Sequence, residues 1–443
     1  MVFEKPRAHY AHFAAVWCGL LTLALAYDAG AKTLCVDQGG KSGCSTTISA
    51  AVAAAAAGDQ INIDAGDYAE SVMITKPLSL VGAGASSTII NAKGLANGIY
   101  VDGLDNPGLA NVLISGLTVT NANFEGILVT NANYVVIANN HISNNDQNLN
   151  YAAGTCPGQP VFETNEDFDC GEGIHLIGVY SVTVANNEVN QNSGGILLSD
   201  ETGQTYENLI TGNSVHDNAL DCGITLASHA PSPKAASQAP YGVFSNDIVG
   251  NNSSNNGRVG AGAGVGIFAP GPGNLAFSNR VIGNVIENNG QPGVTMHNHA
   301  APPGAPAPNL NGNIIMGNLI SGNNADTEDA ATPGSTGINV YSVAPVYGTQ
   351  ILENTIQNEA IGVVMNNPGG MDLHLNNLPS SGSGVTNLSK TGSVNANLNF
   401  FGCAGGPGTT GCSTVNGPGV TAGTWLSTPG GSAVTPGRGP ARP

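Results

Sequence analysis

Asp200 and Glu201 stand side by side, and His229 follows Glu201 by 28 residues. Two carboxyls beside an imidazole can divide the acid and base roles that cleavage of a glycosidic bond needs. His175, Asp221 and His297 are the other groups that could join such a centre. His297 and His299 flank one residue. On an extended segment both rings fall on one side, and with Glu201 they could bind a transition metal. The alternative is that all of these are solvated turn residues. A second acidic group comprises Glu163, Glu166, Asp167, Asp169 and Glu172, with Asp221 further on. A loop of this kind could hold calcium through oxygen ligands, but its spacing matches no calcium-loop motif, and a plain soluble loop is the alternative. Asp326, Glu328 and Asp329 form a smaller cluster.

What positions these residues is a repeat. A Gly followed by Ile or Val and an alternating apolar/polar run recurs at Gly98, Gly126, Gly173, Gly195, Gly223, Gly266, Gly293, Gly337 and Gly362. The simple steps are 22 to 28 residues, and the longer ones, of 43, 44 and 47, contain insertions. A fixed period in this range marks a solenoid, and each alternating run marks a short strand with one apolar face. Counting the Gly as zero, positions +1 and +3 point inward and +2 and +4 outward. His175 is then the only His at +2, and His297 sits at +4. Asp200, Glu201, His229 and His299 follow at +5 and +6. Glu172 falls where sister repeats have Cys222, Val265 and Ile361. It is either a buried acid with a partner or the sign of a bent strand.

A second signature is an Asn two residues before an apolar residue: Asn140, Asn187, Asn213, Asn284, Asn318 and Asn354, with Asn251 and Asn377 less regular. Stacked coils would stack these amides, which can bond from coil to coil and tolerate a left-handed corner. Their role is structural. Long insertions at 146–170, about 255–263 and 324–335 precede the Gly strands, and those at 227–241 and 297–311 follow them. All border one sheet, so they are expected to wall an elongated groove.

The ends differ in composition. Lys5 and Arg7, an apolar run from Phe13 to Ala26 and Ala29-Gly30-Ala31 read as a secretory signal over 1–31, with an uncleaved anchor as the rival. Residues 32–58 form a cap whose helix is expected over Thr47–Ala57, started by Ser45 or Thr46 and stopped by Gly58. The solenoid spans 59–427, closed by Phe400, Phe401 and Trp425, and 428–443 reads as a disordered tail. Outside the signal, three disulfides are plausible in a secreted or periplasmic protein: Cys35 with Cys44, Cys156 with Cys170, and Cys403 with Cys412. Cys222 is left over as a buried filler, since a reactive thiol needs nearby positive charge.

The opening over 47–84 and the repeated Asn-x-Ile and Gly-Ile pattern resemble the pectate-lyase-like superfamily of right-handed parallel β-helices, over about residues 35–427. The resemblance implies an all-β solenoid of about ten coils with an N-terminal capping helix. It implies no single activity. The N-T-D, D-D, G-H-G and R-x-K motifs of polygalacturonase-like hydrolases are absent, as is the D-P-H motif of mannuronan epimerases. No Lys or Arg lies on a Gly strand where lyases carry their base.

Charge narrows the partners. Twelve cations against 30 acids give a net charge of −18, which would repel nucleic acid, anionic lipid and polyuronates unless calcium bridges them. The expected partner is a neutral or cationic polysaccharide, with no membrane contact after signal cleavage. Two functions remain open: a carbohydrate-active enzyme, hydrolase or lyase, and a non-catalytic surface or periplasmic scaffold that binds glycan.

Overall fold

A computed structural model describes residues 30–146, 171–229, 241–299, 303–328, 330–379, 382–430 and 433–434. All but the last two residues of the signal expected over 1–31 lie outside these residues, as do the acids at 163–169 and most of the 146–170 and 227–241 insertions. No helix among the described residues is long and apolar enough to cross a membrane.

Three long parallel sheets run the length of the chain, with fourteen, twelve and ten strands. Each strand pairs with the equivalent strand of the coils before and after it, so the chain winds as a right-handed parallel β-helix. The Gly-Ile strands build the twelve-stranded sheet, from Val72–Ile74 to Thr414–Asn416. The third sheet has ten strands, one for each of about ten full coils, and the capping coils at the two ends add strands to the other two sheets. Ile127, Ile174, Ile196, Ile224, Val265, Val294, Ile338 and Val363 stack in register in the core and are fully buried. Short strands suffice because every coil buries its β-branched face against two neighbours.

The register corrects the repeat phase at one coil. Ile224 pairs with Val265, so Gly223 is matched by Gly264 and not by Gly266. Phe268 therefore occupies +4 and Gly266 occupies +2. A Cβ on Gly266 would stand 2.3 Å from the Phe268 ring, so glycine there gives the ring its seat.

The asparagine ladder is present, with two adjustments. It runs Asn140, Asn187, Asn213, Asn251, Asn284, Asn318, Asn354, Asn376 and Asn399, each Nδ2 donating to the next Oδ1. Asn376 holds the slot, not Asn377. The left-handed residue is the one before each ladder Asn, such as Asn139, Asn186, Gly212 and Gly250. A second ladder runs Asn145, Asn192, Asn218, Asn256, Asn289 and Asn323 and ends on Glu359. A third joins Asn208, Asn246 and Asn279, with Asn313 accepting from the Asn279 backbone. Asn213 shows the economy of a ladder position. Its Oδ1 accepts from the N–H and Nδ2 of Asn187, and its Nδ2 donates to Val184 O and Asn251 Oδ1. All four bonding capacities of the buried amide are used.

The capping helix spans Ile48–Ala54, shorter than expected at both ends. Thr47 is the N-cap, its side chain accepting from Ala50 N. Glu70 accepts from Ile48 and Ser49 N–H at 2.8 Å, placing a carboxylate at the positive end of the helix. Ala55 is already extended, so the alanine run turns toward the first coil three residues before Gly58. Ile48, Ala51 and Val52 are buried over the open end.

Two of the three expected disulfides are formed among the described residues. They join Cys35 to Cys44 and Cys403 to Cys412. The third, expected between Cys156 and Cys170, lies outside the described residues. Cys222 is free and buried. At the far end Phe401 is fully buried, and Trp425 packs against the core. Trp425–Leu426 pairs antiparallel with Ala433–Val434.

Candidate functional site

The bend at each strand start decides which side chains meet outside the coil. A Cβ on Gly173 would point at Val189 Cγ1 and Asn192 Nδ2, both interior groups. Ile174 also points inward. Two consecutive inward positions throw −1 and +2 together on the outer face. Glu172 at −1 therefore reaches His175 at +2, with Oε2 3.6 Å from Nδ1. Glu172 is a buried acid with a partner, and strict alternation had placed it wrongly.

Glu125 stands at −1 on the preceding coil, since Ile127 pairs with Ile174. Its Oε1 lies 3.0 Å from His175 Nδ1, and its Oε2 accepts from Glu172 N–H at 2.7 Å. The other face of the imidazole, Nε2, meets Ser199 Oγ at 2.8 Å. Glu125 was missed by sequence reasoning. The available signal was Glu-Gly-Ile at 125–127 and again at 172–174.

The Asp200, Glu201, His229 group is brought together. Glu201 Oε1 lies 2.6 Å from His229 Nδ1. Asp200 accepts from Ser228 Oγ and from His229 N–H, both at 2.7 Å. Ser199 to Glu201 are consecutive, so the His175 cluster and the His229 cluster are neighbours on one edge of the sheet. Burial pushes Glu201 up, but the charge and hydrogen bond of His229 and the charge of His175 prevail, and its carboxyl falls to about 2. Burial, then the charge of Glu201, push Asp200 up to about 7 against the hydrogen bonds from Ser228 and His229. Two adjacent carboxyls are thus split, one ionised and one poised near neutrality. Asp200, Glu201 and His229 are 0%, 1% and 8% exposed.

Asp221 is placed beside Glu172 and away from His229. A Cβ on Gly194 would lie 3.0 Å from Glu172 Cγ and 3.4 Å from Asp221 Cβ, so Gly194 is the gap across which the two approach. His297 and His299 stack on each other with centroids 5.2 Å apart, and the His297 ring lies tilted by 38° against Phe268 with centroids 4.4 Å apart. They do not join Glu201 in a metal site. Glu201 is three coils away, roughly 14 Å at 4.8 Å per coil. Among the described residues, the one group of three or more ligand atoms close enough to hold a metal is Glu125, Glu172 and His175, all within 4.8 Å of one another.

The outward row is not the open floor that alternation implied. Leu197, Thr225, Thr295 and Asn339 at +2 are buried. The half-buried stripe lies at +4 on four consecutive coils, Phe268, His297, Tyr341 and Asn366. The 255–263 insertion folds back on its own body, with Val259 N–H donating to Ala219 O and Ala261 N–H to Leu220 O.

Residues 80–301 match the family model described as a right handed beta helix region. No curated protein matches the chain. Among solved structures, the A-module of mannuronan C-5 epimerase from Azotobacter vinelandii is 14% identical, with 78% of this chain and 93% of that one covered and a TM-score of 0.51. The Dettilon tailspike protein is 14% identical at a TM-score of 0.50, with 82% of this chain and 62% of the tailspike covered. An alginate lyase from a Paenibacillus species is 13% identical, with 88% and 99% covered and a TM-score of 0.48. At such identities the likeness is one of fold. The family match spans half of the chain and falls on the coils that carry the repeat, the asparagine ladders and the three parallel sheets; the chain belongs to the right-handed β-helix family.

Proposed function

We propose that this protein is secreted or periplasmic and acts on a polysaccharide laid along the twelve-stranded sheet, with acid/base chemistry at Asp200, Glu201 and His229. The observation that carries the chemistry is the split of two adjacent carboxyls. Asp200 is held near neutrality, and Glu201 is held ionised against His229. A proton donor at Asp200 beside an ionised carboxylate–imidazole pair meets the needs of glycosidic cleavage by hydrolysis or elimination. Glu201 stays ionised against the His229 imidazole, with a further hydrogen bond from the Ser199 side chain. The polymer reading rests on shape. Phe268, His297, Tyr341 and Asn366 form a half-buried stripe of rings and one amide, one per coil, where sugar faces can stack. The net charge of −18 favours a neutral or cationic glycan, or an acidic one bridged by calcium. Lys5, Arg7 and the apolar run after them, together with two disulfides, support export.

A second reading is a non-catalytic glycan-binding scaffold, and the burial of Asp200, Glu201 and His229 favours it. One experiment separates the two. Purified protein is incubated with neutral, cationic and acidic polysaccharides, with and without calcium, and assayed for new reducing ends and for unsaturated products. Cleavage lost in His229→Ala supports the enzyme. No product from any glycan, with binding retained, leaves the scaffold.

A further inference from the structure

We propose that Glu125, Glu172 and His175 form a binding site for a divalent transition metal of the zinc type, with these three side chains as protein ligands. The inference goes beyond the glycan reading and does not depend on it.

Geometry comes first. His175 Nδ1 lies 3.0 Å from Glu125 Oε1 and 3.6 Å from Glu172 Oε2. For bonds of about 2.0 Å, ligand atoms around a tetrahedral ion stand about 3.3 Å apart. The two separations from the imidazole bracket that value, and all three ligand atoms lie within 4.8 Å of one another, so an ion fits between them with side-chain adjustment.

Each ligand is also aimed by a bond at its far side. Glu125 is pinned through Oε2 by Glu172 N–H, which leaves Oε1 facing His175. His175 is held through Nε2 by Ser199 Oγ. When that nitrogen carries the proton, Nδ1 presents a lone pair to the carboxylates. This is the outer-shell arrangement that fixes the tautomer of a metal-binding histidine. Gly194 supplies the space, since a Cβ there would press on Glu172 Cγ at 3.0 Å.

Charge is the third argument. Two carboxyls and one imidazole are all at least 97% buried. Among the described residues, one imidazole stands against two carboxyls, and Asp221 adds a further carboxyl across Gly194. Buried carboxyls gathered in this way favour a dication between them. The imidazole selects the metal. One nitrogen and two carboxylate oxygens suit zinc, manganese or iron, whereas calcium takes six to eight oxygens.

The test uses the full chain, stripped with chelator and dialysed against zinc, manganese or calcium, with bound metal measured by elemental analysis. We expect one equivalent of zinc. Affinity should fall more than about 100-fold in His175→Ala and Glu172→Gln, and it should be unchanged in His297→Ala. Gly194→Ala keeps every ligand and should weaken zinc by crowding Glu172. Should the ligand variants fail to fold, cobalt added to the wild type gives the answer through the visible bands of a four-coordinate site. The proposal is overturned by zinc below about 0.2 equivalents, by retention of zinc in folded His175→Ala, by calcium binding in preference to zinc, or by the absence of cobalt bands. None of these outcomes bears on whether a glycan is cleaved.

Discussion

Glu359→Gln should make the C-terminal coils more stable at pH 8 and leave them unchanged at pH 4. Glu359 occupies the slot at which the second asparagine ladder would continue. Asn358 before it is left-handed, as at every other rung, and Glu359 Oε1 accepts from Asn323 N–H and Nδ2 at 2.8 and 3.1 Å. The side chain is 5% exposed. Burial raises its carboxyl from 4.5 to about 7, against hydrogen bonds from Asn323 and Ser335, and no cation is among its partners. Below pH 4.5 the group is neutral in both folded and unfolded chains, so it costs nothing. Between 4.5 and 7 the unfolded carboxyl ionises while the folded one resists, and stability is lost as pH rises. Above 7 the loss levels off at about 3 kcal/mol, the cost of moving the carboxyl from 4.5 to about 7. Glutamine keeps the accepting oxygen and cannot ionise. A solenoid opens coil by coil, so a global midpoint would blur the effect. The measurement is hydrogen exchange at Asn323 N–H, taken as the ratio of variant to wild type from pH 4 to 8 so that intrinsic exchange cancels. The ratio should be near one at pH 4 and should show slower opening of the variant, by up to about two orders of magnitude, at pH 8. A ratio that does not change with pH refutes the reasoning.

Asn213→Leu should destabilise the middle coils by about 3 kcal/mol or more, because it strands Asn187 N–H and Val184 O inside the core; urea denaturation of the folded variant measures it. If Asp200 supplies the proton for cleavage, initial rates on a susceptible glycan should fall about tenfold per pH unit above 7, and Asp200→Asn should abolish cleavage while leaving glycan binding intact. Tyr341→Ala should weaken glycan binding by about 1–2 kcal/mol, read by titration calorimetry, without shifting the pH profile.

The fold was legible because its signal is periodic and redundant. Every coil repeats the inward Ile or Val and the ladder Asn, so one misread phase, Gly266 for Gly264, did no damage to the architecture. It did displace Phe268 by two positions, and with it the reading of the outward stripe. The helix was legible as an alanine run but overlong, since its end is set by where the first coil must begin and not by Gly58. Glu359 was illegible as a ladder member because a carboxylate oxygen accepts as an amide oxygen does, while residue-type matching looks only for Asn.

The site was legible in part for a related reason. Asp200, Glu201 and His229 could be paired from the repeat because +5 and +6 follow the strand in an unbroken register. Glu125 could not, because its importance arises from a departure from that register. The alternation rule assigns −1 to the core, and a carboxylate there looks like an error. The structure places Gly173 and Ile174 both inward, so −1 turns out and lies over +2. The consequence is general for this chain. At each coil the residue before the Gly and the second residue after it form one outward pair: Asn97 with Tyr100, Glu125 with Leu128, Glu172 with His175, Cys222 with Thr225. In three of these pairs the +2 partner is apolar, aromatic or hydroxylic. Only at His175 does +2 supply a nitrogen ligand, and only there do two coils in succession carry an acid at −1. A site built from two coils at the one place where both conditions hold is what the repeat permits without disturbing its core, and that is the physical reason to look for the metal at Glu125, Glu172 and His175 and not at the paired histidines of the C-terminal half.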